Sequence, residues 1–257
     1  GLFSLRREDG LRLYARKVLI QEYCKDLLPE YFRFIQGVVD TEDLPLNVSR
    51  ESVQSNRVMA QLKKLVTSKV IDMLKKLSDE NPEKYHQFWE RFGRYLKEGV
   101  AIEPGDPKDL FPLLRFHTLQ HKDQWISLDE YVERMKPEQK EIYYILGDDE
   151  RSVVYSPHLD LVRGYDYDVL IMTDPVDAFM LVRLAKYGDH DLKDVASAEL
   201  KPVEKKATVG AQEGEKPETL LDGERLSLIE RVKKQLGDRV TDVRMTDRLS
   251  DSPARLV

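Results

Sequence analysis

The chain is predicted to be α/β and to fold as layered units, on three observations. Strand-like residues at 11–39 lead into a long amphipathic helix at 58–77. Residues 142–187 alternate strand, helix, strand, helix, the pattern of a small α/β layer with a parallel strand pair. Residues 201–219 lack periodicity, are rich in Lys, Glu, Gly and Pro, and read as a flexible linker to a last short segment.

Each element has its own local reason. Residues 11–20 alternate and then turn apolar, which predicts a strand with one covered face. Pro29 opens a short segment, a second strand is expected around Phe34–Val39, and an acidic loop follows at 40–46. Val58, Leu62, Leu65, Val66, Val70, Met73, Leu74 and Leu77 recur at spacings of three and four, so the next helix carries one apolar stripe, with Ser49 as its N-cap. Asn81-Pro82 reads as an N-cap with Pro in the first helical position. Behind it Tyr85, Phe88, Trp89, Phe92, Tyr95 and Leu96 form an aromatic stripe that reads as core. Pro104, Gly105 and Pro107 end that helix, and a short apolar turn, Leu110–Phe116, comes next.

Ser127-Leu128-Asp129-Glu130 is a capping box, in which hydroxyl and carboxylate each satisfy a free N–H, and Pro137 stops the helix it opens. Strands are expected at Ile142–Leu146 and Val169–Thr173, with helices near 157–164 and over Pro175–Tyr187. A last helix carries Leu226, Ile229, Val232 and Leu236 and stops at Gly237. Val240–Met245 looks strand-like. Residues 220–257 are too few to bury much alone and read as a domain cut short.

At 257 residues the chain has room for one large or two medium domains. Its 34% charged residues describe a heavily charged surface, and a net charge of −6 speaks against general affinity for nucleic acid or anionic membranes. The basic face of the long helix (Arg57, Lys63, Lys64, Lys69, Lys75, Lys76) reads as solvated. No apolar run approaches the ~20 residues that span a bilayer. One cysteine, Cys24, makes no internal disulfide and points to a reducing, cytoplasmic setting. The absence of an initiator Met suggests a piece of something longer.

Familiar catalytic signatures are missing: there is no G-x-S-x-G, P-loop, G-x-G-x-x-G or H-E-x-x-H. His117 and His121 stand four apart but sit in a loop setting that makes a poor metal site, and Asp148-Asp149-Glu150 reads as a solvated turn. What remains is the loop and helix start at 40–54. Arg50 and Gln54 share a helical face, and a guanidinium beside an amide can hold a phosphate and a water. The competing reading is that Arg50 pairs with Asp40, Glu42 or Asp43 and pins the loop.

Gly37-Val38-Val39-Asp40-Thr41-Glu42-Asp43-Leu44-Pro45-Leu46-Asn47-Val48-Ser49-Arg50-Glu51 closely resembles a segment of the 90-kilodalton heat-shock chaperone family. Residues 13–20, 28–31, 127–135, 142–145 and 248–253 resemble further segments of that family in the same order. Ser156-Pro157-His158-Leu159 and the lack of a long acidic linker make the chain most similar to the bacterial branch, the high-temperature protein G type.

The resemblance implies a middle domain followed by the start of a C-terminal one. Its parts would be a larger α-β-α unit at 1–79 whose first strands precede Gly1, a helical coil at 80–120, and a smaller α-β-α unit at 121–200. The linker at 201–219 would then lead to the start of an α+β dimerisation domain at 220–257. It further implies that Arg50, with Gln54, reaches the γ-phosphate of ATP held with Mg2+ by an N-terminal domain that also supplies the water-orienting acid. Neither ATP nor Mg2+ is expected on this segment alone, which is not expected to hydrolyse ATP. The implied partners are unfolded or client proteins, the parent's own N-terminal ATPase domain, and a second copy through the C-terminal domain, with no nucleic acid and no membrane. After Arg50-Glu51 the family often has a bulky apolar residue and Gln-Gln. Here Ser52-Val53-Gln54-Ser55 keeps the second Gln only.

Overall fold

The computed structural model describes residues 10–44, 57–198, 200, 222–246, 249 and 253–255. It is mixed α/β, as predicted, and divides into two compact units, residues 1–153 with 168–194, and residues 154–167 with 195–257. Ser49, Arg50, Gln54 and the 201–219 segment lie outside the described residues.

The first unit opens with a three-stranded sheet. Strands β1 (Leu11–Ala15), β2 (Val18–Cys24) and β3 (Gly37–Thr41) lie in the order β2-β1-β3, with β1–β2 antiparallel and β1–β3 parallel from Leu11↔Gly37 to Ala15↔Thr41. The single strand expected over 11–20 is therefore a hairpin. Arg16 and Lys17 turn it with φ of 50° and 68°, the two positive values that a tight two-residue turn demands. Neither is the Gly or Asn that marks such a turn, so the sequence carries no turn signal between the two strands. The strand expected at 34–39 begins instead at Gly37, because Phe34 turns away to stack on Phe92, ring centroids 4.5 Å apart.

Helix α1 (Arg57–Glu80) buries Met59, Val70, Ile71 and Leu74, while Leu65 and Met73 of the expected stripe are exposed. Helix α2 (Pro82–Ile102) starts as predicted: the Asn81 side chain accepts from Lys84 N at 3.1 Å, with Pro82 behind it. Tyr85, Trp89 and Leu96 are buried in the core shared by the sheet and both helices, so the aromatic stripe is packing. Fully burying one such large apolar side chain contributes about 1.5–3 kcal/mol. A 3-10 segment, Pro107–Leu113, carries the expected apolar turn. Arg115, buried after it, lies over the Tyr85 ring at 4.6 Å and donates to the Pro112 and Leu114 carbonyls and to Ser78 Oγ.

A second, five-stranded sheet completes this unit. Strands β4 (His117–Thr118), β5 (Ile142–Leu146), β6 (Leu170–Met172), β7 (Lys186–Tyr187) and β8 (His190–Asp194) are ordered β4-β6-β5-β8-β7. The predicted parallel pair is β5 with β6, and β5 also runs parallel to β8. Helix α3 (Leu128–Arg134) has its capping box in full: Ser127 Oγ accepts from Glu130 N at 3.1 Å, and Glu130 Oε2 accepts from Ser127 N at 2.7 Å. The turn expected at 148–150 opens a short helix, α4 (Glu150–Val154), because Asp149 Oδ1 accepts from Ser152 N at 2.9 Å.

In the second unit a 3-10 turn, Pro157–Leu159, runs into α5 (Asp160–Gly164), so the helix expected near 157–164 is present. The helix expected over 175–187 is shorter in the first unit: α6 (Asp177–Arg183) ends before a β7–β8 hairpin that turns on Gly188, φ 58°. In the second unit, α7 (Asp222–Leu236) stops at Gly237, φ 54°, as read from the sequence. Val240–Met245 forms no strand. There Asp242 is held by Lys233 at 3.0 Å and Arg244 at 2.8 Å, and these contacts hold its carboxyl well below the usual range.

Candidate functional site

The acidic loop leaves the first sheet from β3, and its stem is held from the β1–β2 turn. Arg16 N donates to Thr41 O at 3.1 Å, and the Arg16 guanidinium reaches Glu42 O at 3.4 Å. Lys17 N donates to Asp40 Oδ1 at 3.2 Å, and Asp43 N to Thr41 Oγ1 at the same distance. The left-handed backbone of Arg16 and Lys17 is what turns both N–H groups and the guanidinium towards β3. Leu44, 1% exposed, then anchors the loop in the core to which Met59 of α1 also belongs. Asp40, one of three acids considered as a partner for Arg50, already accepts a backbone N–H.

A concave feature lies elsewhere on the same unit. A groove of about 400 Å³ is lined by His86 and Glu90 of α2, His117 of β4, Asp123, Gln124, Trp125 and Ile126 of the following loop, and Glu130 of α3. The His117 ring packs tilted against Trp125 with centroids 3.8 Å apart, and its Nδ1 donates to Gln124 O at 3.2 Å. Trp125 meets Trp89 edge-on at 6.2 Å. Burial opposes ionisation of Glu130, but the Ser127 N–H and hydroxyl, with Arg115 nearby, outweigh it and hold the carboxyl below its ordinary range.

Comparison with known proteins decides the family. The model for the family described as Hsp90 protein matches residues 2–257. The chain belongs to the Hsp90 family. It is 39% identical over 256 residues to the chaperone protein HtpG of Baumannia cicadellinicola, covering 99% of this chain and 40% of that protein. It is 38% identical to the HtpG of Shewanella loihica and 39% identical to that of Treponema denticola, over 100% of this chain and 40% of each relative. The chain thus spans about two fifths of the length of these curated relatives.

In this Hsp90 chain, Arg50 and Gln54 fall within 45–56, outside the described residues; what is described is the β3 stem that leads to them. Cys24 is buried, and burial pushes its thiol up, away from nucleophilic use. His117 and His121 do not converge: His121 Nδ1 meets Asp168 Oδ2 at 3.4 Å while His117 faces the groove. Among the described residues no three His, Cys, Asp or Glu side chains are grouped to hold a metal ion. No described helix is long and apolar enough to cross a membrane. The groove escaped sequence reasoning because its walls come from three segments; the one local signal was His86 and Glu90 at a four-residue spacing on one helical face.

Proposed function

We propose that this chain is the middle segment of an ATP-dependent chaperone that assists protein folding. In this reading residues 1–79, 80–120 and 121–200 are the larger unit, the coil and the smaller unit of a middle domain. Residues 201–219 are a linker, and residues 220–257 begin a dimerisation domain. Arg50 contacts the γ-phosphate of ATP and Gln54 assists it. The adenine pocket, Mg2+ and the acid that orients water belong to the parent protein's N-terminal part. An Arg in this role neutralises charge on the transferring phosphoryl group, an effect worth about three to five decades of rate in other phosphoryl-transfer systems. Client proteins are the proposed partners and the cytoplasm the proposed setting.

The observation that carries the reading is the family's loop motif, Gly37–Glu51, mounted on β3 of a chain that matches the Hsp90 family over nearly its whole length. In the full-length protein Arg50→Ala is expected to lower ATP turnover tenfold or more while nucleotide affinity stays within about twofold. Unchanged turnover would remove Arg50 from the site. That outcome would favour a second reading, a protein-docking module in which Arg50 only pairs with the acidic loop. The second reading draws support from the outer face of α6, where Phe179 and Val182 are 68% and 77% exposed. Isolated exposed apolar residues are ordinary, but a large aromatic and a β-branched residue three apart on one short helix give a partner something to grip.

A further inference from the structure

The peptide unit between Glu42 and Asp43 is held at both of its polar atoms. Its carbonyl, Glu42 O, accepts from Arg16 Nε at 3.4 Å and Nη2 at 3.5 Å, and its N–H, on Asp43, donates to Thr41 Oγ1 at 3.2 Å. A peptide unit is planar, so holding its oxygen and its nitrogen sets the direction in which the chain leaves it. The residues just before are tied as well, Thr41 O by Arg16 N and Asp40 Oδ1 by Lys17 N. All of these holds but the threonine contact come from the β1–β2 turn, which the parallel register Ala15↔Thr41 sets beside the end of β3. That turn is made under strain. Arg16 and Lys17 both take positive φ, where a side chain is disfavoured and Asn or Gly would turn the chain with less strain. What glycine could not supply is the Arg16 guanidinium. Among the described residues it makes no ion pair, and Glu42 O is the group it holds.

We infer that Arg16 is a positioning residue for Arg50: by holding the 42–43 peptide it sets the direction in which the chain leaves β3 towards Arg50, eight positions further on. The inference rests on the reading of Arg50 as the γ-phosphate contact. Arg16 itself meets neither nucleotide nor water in that reading and acts only through Arg50. Charge stabilisation in a transition state is steep in position, and a misplacement of about 1 Å can cost up to about a hundredfold in rate. Nucleotide affinity is set by the adenine pocket and Mg2+ in the parent protein's N-terminal part. A loosened stem therefore lowers turnover and leaves affinity alone.

The test uses the full-length protein carrying Arg16→Met or Arg16→Lys, each alone and combined with Arg50→Ala. ATP turnover, nucleotide affinity and thermal midpoint are measured for every variant. Arg, Lys and Met are all unbranched at Cβ and meet the same positive φ, so the strain of the turn is common to the three. Met keeps an apolar stem but donates nothing, whereas Lys keeps the charge and a donor of similar reach. Arg16→Met is expected to lower kcat roughly three- to fivefold while nucleotide affinity stays within about twofold. Arg16→Lys should retain most of the turnover at the same thermal midpoint as Arg16→Met. In the Arg50→Ala background Arg16→Met should lower turnover no further, because the residue it positions is gone. Unchanged kcat in Arg16→Met overturns the inference, as does an Arg16→Lys variant equally slow, a loss that follows a lowered midpoint, or losses that multiply in the double variant. Each of those outcomes leaves the role of Arg50 standing. Unchanged turnover in Arg50→Ala alone removes that role, and the inference falls with it.

Discussion

Lys97 Nζ of α2 lies 2.7 Å from Asp177 Oδ1 of α6, and Asp177 is 0% exposed. This pair, with Arg183 donating to the Glu103 and Gly105 carbonyls, fastens the helix that presents Phe179 and Val182 to the C-terminal part of α2 and the turn after it. Desolvation outweighs the attraction of Lys97 and pushes the Asp177 carboxyl above its ordinary value. The net worth of the intact pair is therefore small, whereas breaking it is expensive. Lys97→Met strands a buried carboxylate and is expected to cost roughly 3–5 kcal/mol by urea denaturation. A second change, Asp177→Asn, should recover a large part of that loss. If Lys97→Met costs less than 1 kcal/mol, the pair is not holding α6 in place.

Gly99 sits where α2 passes the 3-10 turn Glu30–Phe32. A Cβ there would lie 2.7 Å from Tyr31 Cγ and 3.0 Å from Leu110 Cδ1, both inside ordinary contact. Alanine would otherwise gain about 0.5–1 kcal/mol over glycine in a helix interior. The clash outweighs that gain, and Gly99→Ala is expected to destabilise by about 1–3 kcal/mol. A rise in thermal midpoint would show that Tyr31 moves aside freely.

Those two contacts mark the limit of what the sequence could reveal. Elements with a local chemical cause were legible: Asn81-Pro82, the Ser127–Glu130 box, Gly237, and the parallel pair of β5 and β6 all stand as read. Where the deciding partner is distant, local pattern does not reveal the element. The Arg16-Lys17 turn is fixed by β3 twenty-odd residues on, and the β3 start by Phe92, so local pattern alone merged one hairpin and misplaced one strand. The loop motif around Arg50 was legible as a family phrase, whereas the groove needs three segments to meet before it exists at all.

The β1–β2 turn yields opposite predictions for its two residues. A non-glycine residue at positive φ costs roughly 1–2 kcal/mol, partly balanced by the greater unfolded-state entropy of glycine. Lys17 bonds Asp40 through its backbone N–H, which glycine retains. Lys17→Gly is therefore expected to stabilise the chain by up to about 1 kcal/mol. Arg16 bonds Glu42 through its side chain, so Arg16→Ala keeps the turn but loses the contact with the loop stem. Hydrogen exchange should show faster opening at residues 40–44 in Arg16→Ala and no change there in Lys17→Gly. Equal behaviour in the two variants would separate the turn from the loop.

Glu130 sets an acid limit on the stability of the α3 start. Its carboxyl is held below its ordinary value of 4.5 by Ser127 and Arg115, against the opposing effect of burial. For an acid depressed in the folded state, the stabilisation is complete above the unfolded value and is lost as pH falls through the folded one. Loss should therefore begin near pH 4.5 and deepen below it. Replacing Glu130 by Gln keeps an oxygen that can accept from Ser127 N but removes the linked proton. Glu130→Gln should be less stable than the parent at neutral pH, by about 0.5–2 kcal/mol on the scale of a lost helix cap. The gap should narrow on acidification, since protonation takes from the parent what the substitution has already removed. Urea midpoints measured at steps across this acid range test it directly. Parallel curves, with the gap unchanged from neutral pH to well below 4.5, would mean that the Glu130 charge contributes nothing to the cap.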